Sequence, residues 1–147
     1  MVTRMVAATV AGGIAFFILG FVIYGLLLDP MVMRPNMNVF PGLTKETPDF
    51  IPLVIANLVS ALFLAYIFEC LAGIKTFAAG LKGGAVIFFL MALSFQLMFI
   101  AFWNLSKNYI PPVMDIIGST VMGAICGGII AAILGAMNKG GTSGKSE

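Results

Sequence analysis

Four long apolar stretches, Val6 to Leu28, Ile51 to Leu71, Thr76 to Trp103 and Met114 to Ala136, fill most of this chain, and breaks bearing proline, glycine or charge separate them. Each reaches the roughly 20 residues that a helix rising ~1.5 Å per residue needs to cross a ~30 Å hydrocarbon layer. The pattern predicts an all-α polytopic membrane protein, a bundle of four transmembrane helices. Composition agrees: 61% of the residues are hydrophobic and 10% charged, against roughly 25% charged in an ordinary soluble domain, and the mean hydropathy is +1.09. A water-soluble fold could not cover that much apolar surface. Little chain remains outside the spans, so residues 1–138 form one small transmembrane domain, followed by a polar, glycine-rich tail over 139–147 that is expected to be disordered.

The first stretch is longer than the ~7 to 15 apolar residues of a cleaved signal, and no small-x-small site follows it, which favours a retained span. Cys70 and Cys126 fall at different predicted depths, which argues against a disulfide between them. The net charge of +2 is spread over termini and loops, leaving no basic face for nucleic acid. Arg4, Lys75, Lys82, Lys139 and Lys145 fall toward the side of the two termini, and Arg34, Lys45 and Lys107 toward the other. By the positive-inside rule both termini are expected in the cytoplasm, of a bacterial inner membrane on the resemblance given below.

The connection from Asp29 to Phe50 carries Pro30, Pro35, Pro41 and Pro48, which argue against a long helix there. Its apolar side chains suit the membrane interface. Gly73 to Lys75 is short enough to make the second and third spans antiparallel neighbours. Pro111 and Pro112 suit the first turn of the fourth helix, where a missing N–H costs little.

The strongest pattern lies in the fourth span, where Ser119, Gly123, Gly127, Ala131 and Gly135 recur every four residues. Gly80 and Gly84 repeat the spacing in the third. Small residues so placed make a smooth helical face that another backbone can approach closely. That face can serve the protein's own bundle or an interface with another chain, and spacing alone does not choose between them.

Polar residues within spans are few, and each is a functional hypothesis because polarity at depth is costly. Counting helical rise from the predicted boundary at the loop side brings Tyr24, Asn57, Gln96 and Asp115, one from each span, to within roughly 6 to 12 Å of it. They could line a site for a small ligand or headgroup, with Asp115 accepting hydrogen bonds and Tyr24 offering a hydroxyl. The plainer alternative is that they tie helices together. Glu69 before the hairpin turn and Lys82 after it suggest an ion pair across the turn.

Histidine is absent, which removes the commonest general base and a common metal ligand. Met31, Met33 and Met37 offer soft sulfur ligands of the kind Cu(I) accepts, though adaptable interfacial packing explains them as well. No catalytic set, cofactor motif or metal site is expected.

Residues 17–27, reading Phe17-Ile18-Leu19-Gly20-Phe21-Val22-Ile23-Tyr24-Gly25-Leu26-Leu27, resemble the opening of a family of small four-span bacterial membrane proteins known as a domain of unknown function. Met114-Asp115-Ile116-Ile117-Gly118 with Val121-Met122-Gly123-Ala124 resembles the start of that family's last span. Ile23 stands where members typically carry an aromatic. The resemblance implies a compact four-helix membrane protein and supplies no activity.

Abundant close-packing surface beside few buried polar groups favours a non-enzymatic structural or accessory subunit, whose partners are membrane lipids and other membrane subunits or copies of itself. The alternative is a small transporter or carrier of a lipid-like or hydrophobic molecule. A membrane enzyme would need convergent titratable groups that the sequence does not offer.

Overall fold

The computed structural model describes residues 1–140. Four helices long and apolar enough to cross a membrane make up most of it: α1 Val2–Asn36, α2 Phe50–Ala72, α3 Phe77–Phe102 and α4 Ile110–Gly140. The protein is an all-α bundle integral to a membrane. One end of it holds Arg4, the α2–α3 turn and Asn138; the other holds Trp103 and the two longer connections.

α1 does not stop where its prolines would stop a helix in water. After Gly20 it continues as a wider π-helical stretch, Phe21–Met33, with Pro30 inside it, and closes with a turn at Arg34–Asn36. Proline removes one backbone donor and crowds the preceding carbonyl. Looser winding relieves that crowding in membrane helices. The connection expected from Asp29 onward is therefore shorter, and its first part is helix.

At the Arg4 end α2 stops at Gly73, whose left-handed φ of 62° lets the chain turn back and Ile74 N–H donate to Phe68 O at 2.9 Å. The Thr76 hydroxyl then accepts from Ala79 N–H at 3.3 Å and caps α3. α4 remains helical through Gly140, two residues into the tail predicted from 139. The rest of that tail, residues 141–147, lies outside the described residues.

α4 packs along α3 on one side and α1 on the other, and α2 packs on α1. Glycine sets the α3–α4 spacing. A Cβ added at Gly127 would lie 2.9 Å from Gly84 Cα, and one at Gly84 or Gly80 would run into the α4 backbone at Gly123 or Gly127. Ala131 lies against Gly80, and Gly135 against the Lys75 carbonyl. The glycine rows of α3 and α4 thus face each other inside one chain. On α1, Gly12 and Gly13 admit Ala61 and Leu58 of α2. The core between these contacts holds Phe16, Leu64, Phe68, Cys126, Ile130 and Leu134, all under 2% exposed, with Phe16 stacked on Phe88 at 5.2 Å. Both cysteines are free, Cys70 exposed and Cys126 buried. Large apolar side chains such as Ile14, Leu62 and Phe89 point outward, as lipid permits.

The helices are not level at the Trp103 end. Counting up the antiparallel α1–α2 pair from Gly13 against Leu58, Phe50 comes level with about Phe21, so α1 rises roughly 20 Å past the start of α2. α3 and α4 rise with α1. Residues 37–49 descend through this gap.

Candidate functional site at the Trp103 end

Three helices bring polar side chains together beneath the Trp103 end. Gln96 of α3 donates through Nε2 to Asp115 Oδ2 of α4 at 2.6 Å. Tyr24 of α1 places its hydroxyl 3.3 Å from the Asp115 carbonyl and 2.7 Å from Ser119 Oγ. One phenolic proton serves one acceptor, so the set is complete when Tyr24 donates to the Asp115 carbonyl and Ser119 donates to Tyr24. α1 packs closely over Gly118, where a Cβ would lie 2.9 Å from Leu28 Cδ1 and 3.6 Å from the Tyr24 hydroxyl.

Of the four polar residues expected at one depth, Asn57 does not join. Its Nδ2 donates to Leu53 O of its own helix at 2.8 Å. The reason is the low start of α2: Asn57 comes level with the middle of α1, near Gly13, well below Tyr24. Ser119, predicted as one more small residue in the packing row, takes the fourth place.

Two cavities flank this polar set. The first, about 550 Å³, has Asp115 and Gln96 at its deep side, Phe99, Trp103 and Tyr109 around it, and Lys107 and Asn108 at its rim. The second, about 830 Å³, lies between Tyr24 to Met37 and the descending segment up to Pro48. Met33 and Met37 line both. Either volume falls in the range of small-molecule sites.

A latch of backbone and asparagine bonds holds the cavities' upper rim. Lys107 N–H donates to Asn36 O and Asn38 N–H to Leu105 O, both at 2.8 Å, so Met37 pairs with Ser106 as a single antiparallel bridge. Asn38 Nδ2 donates to Asn104 O and Asn108 Nδ2 to Asn36 Oδ1, each at 2.9 Å. Lys107 Nζ reaches Pro35 O at 3.2 Å. The two Lys107 donors satisfy the Pro35 and Asn36 carbonyls that the end of α1 would otherwise leave open. The sequence signal was four asparagines flanking two connections, which spacing could not pair because they are about 70 residues apart.

Charge is handled differently at the Arg4 end. The Glu69 carboxylate is 4% exposed and meets Arg4 Nη2 at 3.2 Å and Lys75 Nζ at 3.6 Å, while Arg4 Nη1 also donates to Asn138 Oδ1. The predicted partner Lys82 is instead exposed on α3. It stands two residues from both Gly80 and Gly84, and two residues turn a helix by about 200°, so the face that meshes with α4 carries Lys82 outward. Arg4 of the first turn of α1 and Lys75 of the α2–α3 turn supply the cations in its place.

No protein-family profile, curated protein or solved structure matches this chain.

Proposed function

We propose that this protein binds a small amphiphilic molecule at the Trp103 end of its bundle, as a binding protein or carrier in a bacterial inner membrane with its termini in the cytoplasm. The observation that carries the reading is the Gln96–Asp115 pair at the deep side of a cavity of about 550 Å³, where a polar head could bond within reach of the membrane. An ionisable side chain kept among membrane helices beside a cavity is by default a functional group. The accessory-subunit reading rested on glycine faces available to partner helices. Those faces are occupied by one another between α3 and α4, leaving ordinary lipid-facing apolar surface as its support.

Native mass spectrometry of the particle extracted from its own membranes in mild detergent tests the proposal. A monomer or homo-oligomer retaining a small molecule is the expected result. Stoichiometric co-purification with a larger membrane complex, without a bound molecule, would overturn it in favour of the accessory subunit.

A further inference from the structure

We infer that the first cavity selects a cationic head, an ammonium or similar organic cation carrying an alkyl tail; the inference rests on the binding reading above. Among the described residues, Asp115 is the one acidic side chain lining that cavity. Gln96 donates to its Oδ2 at 2.6 Å, and a carboxylate has about four acceptor sites, so it keeps capacity for a ligand. The same cavity is lined by Phe99, Trp103 and Tyr109, with the Phe99 and Trp103 rings 5.3 Å apart. Aromatic faces attract cations through their quadrupole, most strongly where water is partly excluded.

Helix ends reinforce the sign. The C-terminal turn of α3, from Phe99 to Trp103, borders the cavity and presents the negative end of its dipole. The opposing N-terminus of α4 would ordinarily suit an anion, but its donors are missing or used. Pro111 and Pro112 carry no N–H, Ile110 N–H is bonded to Asn108 Oδ1 at 3.0 Å, and Val113 N–H to Tyr109 O at 3.2 Å. Lys107, the one cation on the rim among the described residues, is turned to the Pro35 carbonyl at the end of α1. A tail attached to the cationic head would lie along Met33 and Met37, adaptable thioether side chains that form the wall shared with the second cavity.

Trp103 is the single tryptophan of the chain, so its fluorescence reports occupancy of this cavity. The test titrates purified full-length protein in detergent with hexyltrimethylammonium, hexanol and hexanoate, which share a tail and differ in head charge. Expected is a saturable change with the cation, about tenfold or more tighter than with hexanol, and none with hexanoate. Asp115→Asn should bring the cation to the hexanol level, Tyr109→Leu should weaken the cation and spare hexanol, and Lys107→Gln should tighten the cation. The latter two variants keep the test decisive should Asp115→Asn fail to fold. Hexanol or hexanoate binding the wild type as tightly as the cation would overturn the cationic assignment while leaving a ligand-binding protein. An absence of saturable binding by all three probes, with no small molecule in the native mass spectrum, would sink both. Competition by phosphatidylethanolamine in nanodiscs of phosphatidylglycerol would assign the cationic head to a lipid, and its absence to a free amine; either result keeps the charge selectivity.

Discussion

The Arg4 half and the Trp103 half of this bundle are built from the same kind of apolar helix and pack in opposite ways. In the Arg4 half Gly80, Gly84, Gly123 and Gly127 bring two backbones into contact, Phe16, Phe68 and Leu134 fill the remaining core, and the buried Glu69 carboxylate meets two cations. In the Trp103 half α2 is missing, α1 is unwound into wider turns around Pro30, and polar side chains border two cavities. Lipid supplies no hydrophobic drive between helices, so close contact in the first half must come from shape. The second half gives up that contact and is held by hydrogen bonds at its rim. One half is closely packed, and the other leaves open volume.

Substitutions should divide along the same line. The largest effect is expected from Gly84→Leu, whose Cβ would run into the α4 backbone at Gly123 and Gly127. A loss of about 3 kcal/mol or more in SDS-driven unfolding, followed by circular dichroism, is expected, and a change under ~1 kcal/mol would show that the glycine contact is not tight. Glu69→Gln comes next, because it leaves Arg4 and Lys75 partly buried without their anion. Its cost should sit at the lower edge of the ~3–5 kcal/mol typical of breaking a buried pair, whereas Lys82→Gln should change unfolding little. Equal effects of the two would restore the ion pair across the turn.

In the Trp103 half the same measurement should register less. Tyr24→Phe removes the bonds to Ser119 and the Asp115 carbonyl and should cost about 0.6 kcal/mol, the average for such contacts between membrane helices. A loss several times larger would make the polar set a structural clasp and weaken its assignment as a site. Asn57→Leu should be the mildest, within ~0.5 kcal/mol, since Asn57 bonds its own helix. If it abolished ligand retention in native mass spectrometry, α2 would have to reach the site in a second conformation.

Which parts of this division could be read in advance follows from the range of the forces involved. Gly80, Gly84 and the α4 row were legible as smooth faces because helical spacing is local, and Asp115, Gln96 and Tyr24 because polarity is rare in an apolar span. Asn57 was misplaced because counting rise from each boundary assumes that all helices start level, and α2 does not. Lys82 suggests itself for Glu69 because the two flank the hairpin turn, while the bundle brings Arg4 of the first turn of α1 to the end of α2 and Lys75 meets the same carboxylate.

The sequence by itself determined that the chain is four membrane helices, since length and apolarity set against bilayer thickness admit no other use for such segments. It determined which faces could approach closely and which residues would be costly to leave unpaired. Tertiary structure decided the partners: that the α3 and α4 glycines face each other, that Ser119 joins Tyr24, and that one cavity opens beside Asp115 and another beside Tyr24. Those choices depend on the relative height and rotation of whole helices, which side chains far apart in the chain fix together and which no local pattern encodes.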